Sequence, residues 1–335
     1  MTSLSDAAVR QLQATLELPD PGDRYEVREA IGRGGMGIVY LAFDHALGRE
    51  VALKVVTGAG DSADLAARLS REAQVLARLE HPGIVAIYDV GVLADGRPFY
   101  VMRRVRGETF AHGAASRGRG EQLRLFLQVC DAVAFAHARG VIHRDITPRN
   151  VMVGEFGEVL VLDWGVARLM DAPRAVPTDP LPAPDAHAES SVSSIDRPAT
   201  APGAARTGDG VVIGTPGFMP PEQAGGAARE ADQRADVFGL GATLRDVLSA
   251  NGTALPRPLA AIIRRATEGL PADRYPSATA LAADVRRWLD GVPVEAYREN
   301  VFERAARLYA RNRPLVLLLF AYAVVRVIVL WWRGI

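Results

Sequence analysis

Gly32-Arg33-Gly34-Gly35-Met36-Gly37-Ile38-Val39 is followed, seventeen residues after Gly37, by Lys54 in the apolar run Val51-Ala52-Leu53-Lys54-Val55-Val56. A GxGxxG loop alone is weak evidence, because dinucleotide folds share it. Those folds pass from the glycines straight into a helix. Here a β-type run stands between the glycines and the lysine. Lys54 is also the only lysine: the other 38 of 39 basic positions are arginine. Arginine and lysine are not interchangeable where a compact ammonium must fit a small site. Glycines that permit close backbone approach, with an ammonium beneath them, suggest a flap over phosphates.

Working outward, 335 residues hold one large or two small domains with ample core. Apolar content of 49% and charged content of 23% are ordinary for a globular protein. A net charge of zero gives no sign of wholesale nucleic-acid binding, and none is expected as a partner. The single cysteine, Cys130, excludes an intrachain disulfide and any multi-cysteine metal site. It lies in Leu123–Ala138, which reads as an apolar helix, so a buried thiol is expected. Residues 1–20 lack the apolar region of a signal peptide.

The chain divides by pattern. Residues 1–23 form a polar N-terminal segment, with room for a short helix. From Tyr25 to Val105, strand-like runs surround one helical stretch, Asp64–Leu79. From Glu121 to Asp290 the pattern is mostly helical, with short β-like pieces at Val151–Val153 and Val159–Leu162. Asp171–Gly210 is rich in Ala, Pro, Ser, Thr and Asp without periodicity, which reads as a disordered insertion. Residues 292–313 are basic. Leu315–Trp332 is 18 residues with one charge, Arg326. As a helix it spans ~27 Å, close to the ~30 Å hydrocarbon core. Pro314 precedes it, and Trp331 and Trp332 close it. Arg304, Arg307, Arg311 and Arg313 lie upstream against Arg333 alone downstream, which suits a single span at 314–332 with the preceding domain in the cytoplasm and a tail of 333–335. The alternative is a buried helix of a soluble domain.

Two further signals follow the lysine in order. One is His143-Arg144-Asp145-Ile146-Thr147-Pro148-Arg149-Asn150, then Leu162-Asp163-Trp164-Gly165. The other is Gly214-Thr215-Pro216-Gly217-Phe218-Met219-Pro220-Pro221-Glu222, then Asp236-Val237-Phe238-Gly239-Leu240-Gly241. Their order and spacing resemble the protein-kinase signature set, over about residues 25–290. The look is that of bacterial Hanks-type serine/threonine kinases, many of which carry a transmembrane helix.

The resemblance implies an α+β, bilobal kinase-like fold over 24–291, with a β-rich small lobe at 24–104 and a helical large lobe at 105–291 that holds the 171–210 insertion. It implies that Gly32, Gly34 and Gly37 admit the triphosphate of ATP, that Ile31, Val39, Ala52 and the gatekeeper Met102 enclose the adenine, and that Lys54 holds the α/β-phosphates with Glu72 as its partner. Asp145 would be the base for the substrate hydroxyl. Asn150 and Asp163 would hold Mg2+, with Mn2+ as a substitute. Arg144 would bind an activation-segment phosphate, with Thr207 and Thr200 as candidate phosphorylation sites. His143 would be structural, packed on the Asp-x-Gly turn, and Asp236 would take backbone donors from the catalytic loop. Glu222 and Arg274 would form a buried pair. Protein substrates, self-association for trans-autophosphorylation, and membrane lipid are the implied partners.

Three departures stand out. Thr147 replaces the lysine that usually neutralises the γ-phosphate, with Arg149 two residues on. Trp164 replaces the usual phenylalanine, and an indole is expected to fill the same slot. The stretch from Asp236 to Arg274 is short, so a surface helix is expected to be missing. The hinge after Met102 also reads Arg103-Arg104-Val105 where the family more often has an acidic and an aromatic residue. Three readings follow: an active serine/threonine kinase, a membrane-tethered pseudokinase acting as a nucleotide- or partner-binding scaffold, and a small-molecule phosphotransferase. The Gly214–Glu222 platform, suited to a peptide, argues against the last.

Overall fold

The structure, a computed structural model, describes residues 18–34, 37–56, 72–114, 116–164, 167–169, 215–225, 232–250, 252, 254–304 and 313–332. The expected disordered insertion at 171–210, with Thr200 and Thr207, lies outside them, as does the N-terminal polar segment before Leu18.

The first lobe is a five-stranded antiparallel sheet in the order β1-β2-β3-β5-β4, from β1 (Tyr25–Gly34), β2 (Gly37–Asp44), β3 (Arg49–Val56), β4 (Ile87–Val92) and β5 (Pro98–Arg103). Side chains alternate across a strand, and these strands use both faces. Ile38, Tyr40, Val51, Leu53, Val55, Phe99 and Val101 form an apolar core on one face. The opposite parity carries Val39, Ala52, Lys54, Tyr100 and Met102 toward the second lobe. Register pairs Val39 with Lys54, Lys54 with Tyr100 and Ala52 with Met102. Of the expected helix at 64–79, residues 72–77 are described and helical (α1). Val75, Leu76 and Leu79 are buried in the core of the second lobe, so this segment joins the two.

The second lobe is helical: α2 (Phe110–Gly113), α3 (Arg119–Ala138), α4 (Pro221–Ala224), α5 (Arg234–Ser249), α6 (Arg257–Ala266) and α7 (Ala278–Leu289). Its core gathers Phe126, Val129, Val133, Leu240, Leu244, Ile262 and Leu281 from four of these helices. Cys130 is fully buried there, and burial pushes its thiol pKa upward. The expected β pieces are β8 (Val151–Gly154) and β9 (Val159–Val161). Three short strands escaped the sequence reading: β6 (Gly107–Thr109), β7 (Val141–Ile142) and β10 (Arg168–Leu169). Runs of two or three residues are too short to show a period. β6 pairs with β8, and Gly107 is required there: φ is 148°, and a Cβ would stand 2.1 Å from the Val153 carbonyl oxygen.

The hinge arginines tie the lobes from outside. Arg104 and Arg106 both donate to Glu50 at the start of β3, and Arg103 lies 3.8 Å from Glu158 beyond β8. From α5 to α6 the chain crosses only 250–256, with no described helix between them.

A last helix, α8, runs Arg313–Trp332. Its described side chains, 317–332, are exposed throughout. Among the described residues no helix is long and apolar enough to cross a membrane. The span expected at 314–332 is therefore not established.

Candidate active site

Lys54 is buried, and its ammonium donates to Glu72 Oε1 at 3.0 Å and to Asp163 Oδ1 at 2.9 Å. Residues from β3, α1 and the turn after β9 thus meet at one nitrogen. Burial works against the charged amine, but Tyr100, Glu72 and Asp163 outweigh it and hold the pKa raised. The ammonium stays protonated.

Asp145 sits in the loop after β7. Its Oδ1 accepts from the Thr215 backbone N–H at 3.1 Å and from the Thr215 hydroxyl at 3.0 Å. Its Oδ2 accepts from Asn150 Nδ2 at 2.9 Å, and the same amide donates to the Asp145 carbonyl. The carboxylate is held on both oxygens by neutral donors, which orient it without neutralising it.

Asp236, on α5, organises the loop. It is fully buried and accepts the backbone N–H of His143 at 2.8 Å and of Arg144 at 2.7 Å. His137, on α3, lies 2.7 Å from Oδ2. Burial opposes the Asp236 charge, but His137 and the backbone donors outweigh it and hold the carboxyl below its usual range. Arg144 and Asp163 both carry positive φ, 71° and 57°, an uncommon region for residues with a Cβ. Strain of this kind is sustained where the surroundings over-determine the backbone, and Asp236 supplies that at Arg144.

His143 is not a base in this geometry. It is fully buried, its Nε2 is 3.0 Å from the Leu162 carbonyl, and its ring packs against Trp164, tilted by 57° with centroids 4.5 Å apart. Trp164 is itself 1% exposed and donates its indole N–H to the Val161 carbonyl. The indole fills the slot and finds the partner that a buried indole N–H requires.

On the upper wall, Ala52 is buried, Val39 and Met102 are half-buried, and Ile31 at the end of β1 is 48% exposed. Gly37 has a φ of 154° that favours glycine, and a Cβ on Gly34 would meet nothing within 4 Å. The Thr147 side chain is buried and accepts from the Asn150 N–H. Arg149 is exposed. Glu222 and Arg274 pair at 2.7 and 2.8 Å.

The residues fit Mg-ATP. Mg2+ is bound by one or two protein oxygens plus phosphates and water, and Asn150 and Asp163 offer such donors. Among the described residues no group of three or more His, Cys, Asp or Glu side chains could hold a metal alone. Tyr100, Thr215, His137 and Gln223, whose amide donates to the Arg144 carbonyl, were not singled out from sequence. Thr215 was findable within its quoted motif. Tyr100 carried no signal beyond strand parity.

A two-lobed fold with a lysine–carboxylate pair and an oriented aspartate in the cleft defines a protein kinase. The chain belongs to the protein kinase domain family, whose family model matches residues 25–254. It is 34% identical over 248 residues to serine/threonine-protein kinase PknD of Protochlamydia amoebophila, covering 69% of this chain and 24% of that protein. It is 35% identical over 243 residues to the probable serine/threonine-protein kinase PknB of Bifidobacterium longum, covering 68% and 30%. The chain thus spans about a quarter to a third of the length of these relatives. Among solved structures, a mutant kinase domain of Mycobacterium tuberculosis PknI matches with a TM-score of 0.55 and 26% identity, covering 81% of this chain and 98% of that one.

Proposed function

We propose that the chain is an ATP-dependent serine/threonine protein kinase acting on protein hydroxyls. The observation that carries this is the single ammonium of Lys54 between Glu72 and Asp163, together with an Asp145 held at both oxygens. Asn150 and Asp163 would hold Mg2+, which when bound draws charge from the transferring phosphoryl group. Lys54 holds and orients the nucleotide phosphates. Asp145 orients the substrate hydroxyl and takes its proton. Val39, Ala52, Met102 and Ile31 enclose the adenine. Thr147 favours a pseudokinase to the extent that no cation replaces the missing lysine within the loop interior, yet base and metal ligands are complete. Autophosphorylation with labelled ATP, wild type against Asp145→Asn, decides between them. Transfer by the wild type and its loss in the variant support the kinase; no transfer by either supports the scaffold.

Two regulatory features belong to the same reading. Arg144 would receive a phosphate on the activation segment, with Thr207 first and Thr200 second as candidates, modified in trans between copies. Mass spectrometry finding phosphate only at Ser190–Ser194 would refute these sites. The apolar helix α8 would cross the cytoplasmic membrane once, with the kinase domain, 24–291, in the cytoplasm and the basic segment 292–313 at the lipid headgroups.

A further inference from the structure

Tyr100 lies on β5, directly across the ladder from Lys54. Alternation carries it to the cleft side of the sheet, away from the small-lobe core that takes its neighbours Phe99 and Val101. It is 2% exposed and packs on Ile87 and Met102. An apolar residue would fill that space. The chain instead buries a hydroxyl there, and the hydroxyl donates to Glu72 Oε1 at 2.8 Å. That is the oxygen that accepts from Lys54 at 3.0 Å. The Lys54 ammonium also sits 5.6 Å from the centre of the Tyr100 ring.

This contact differs in kind from the lysine contact. Lys54 divides its ammonium between Glu72 and Asp163, and a nucleotide phosphate would claim part of it. A Glu72 held by Lys54 alone would then lose part of its hold when the nucleotide enters. Burial, together with the neighbouring Glu72 carboxylate, pushes the Tyr100 pKa far up, despite Lys54 acting the other way. The hydroxyl is therefore a permanent donor to Glu72.

We propose that Tyr100 is a positioning residue for phosphoryl transfer: it anchors the Glu72 carboxylate from the strand beside Lys54 and so holds the α1 helix in its working place. The inference rests on the kinase reading.

Tyr100→Phe removes the hydroxyl and keeps the ring, so packing is preserved. Hydrogen exchange in nucleotide-free protein should accelerate at 72–77 and stay unchanged in α3. kcat/KM for ATP should fall about tenfold, the size expected of one hydrogen bond to a charged group. In a Glu72→Gln background the same substitution should cost little more, because its partner is already impaired. Wild-type exchange at 72–77, an unchanged kcat/KM, or losses that multiply in the double variant would each overturn the proposal. A wild-type chain without any transfer would instead refute the kinase reading, and the exchange measurement would still decide the role of Tyr100.

Discussion

Lys54 is the one position that the arginine-rich composition left as lysine, and the site shows why. Its side chain is 7% exposed and reaches two carboxylates 2.9 and 3.0 Å away. A planar guanidinium is wider than an ammonium and has no comparable space between Glu72 and Asp163. The raised pKa also leaves little free amine to react. An amine-directed reagent at neutral pH should therefore spare Lys54 in the native protein, read by mass spectrometry of its peptide. Glu72→Gln removes one of the charges that raise the pKa, so labelling should quicken; equal rates would show that the pair does not control the amine. Replacing Lys54 by Arg or Met should lower transfer roughly 10²–10³-fold, the cost of one electrostatic donor at the reacting group, with unchanged folding by circular dichroism.

Among the elements, α5 does the most to shape the catalytic loop, through Asp236 at its first turn. The Asp236 carboxyl titrates below its unfolded value, so its contribution is fully present above about pH 3.9 and is lost as pH falls through the lower folded value. Urea unfolding at pH 6 should show Asp236→Asn less stable by about 1.5–3 kcal/mol, one hydrogen bond to a charged group. The gap should narrow at acid pH; a constant gap would mean that the charge is not what matters. Arg274 joins other elements. Its side chain, with 0% exposure, donates to Glu222, Arg234, Glu268 and Gly269. Lysine cannot reproduce that fork, so Arg274→Lys should destabilise by about 3–5 kcal/mol, read from the unfolding midpoint. Both residues were legible because each sits in a motif of fixed spacing. The fold was legible for the same reason, together with the apolar, strand-like runs around Lys54. What the sequence hid were contacts whose partners are far apart in the chain and outside any motif. Tyr100 reaches Glu72 across 28 residues and His137 reaches Asp236 across 99. The hinge arginines looked like a neutral departure, yet Arg104 joins Arg106 in clasping Glu50 while Arg103 lies near Glu158.

On the scale of the whole molecule, the chain after α7 is fastened before it leaves the large lobe. Asp284 is buried and accepts the Tyr275 hydroxyl at 2.7 Å and the backbone N–H groups of Glu295 and Ala296 at 2.6 and 3.0 Å. Val294 joins the large-lobe core. The segment that leads to α8 therefore starts from a fixed point on the kinase domain. α8 itself differs from every other helix. Leu318, Phe320, Val325, Val327 and Ile328 are each more than half exposed, and so are Trp331 and Trp332. A helix apolar all round is ordinarily buried in a core or a bilayer, and here the described side chains are exposed. The lipid reading gives them a solvent, places the tryptophans at an interface and leaves Arg326 near one end to snorkel. Full-length protein should then float with membranes and resist extraction by salt and carbonate. Truncation after Arg313 should release a soluble kinase, since Asp284 holds the preceding chain to the domain without help from α8. Its autophosphorylation should depend more steeply on concentration, because copies are no longer gathered in one plane. Full-length protein stripped from vesicles by carbonate would make α8 peripheral, and identical concentration dependence in the two forms would remove the membrane from the activation step.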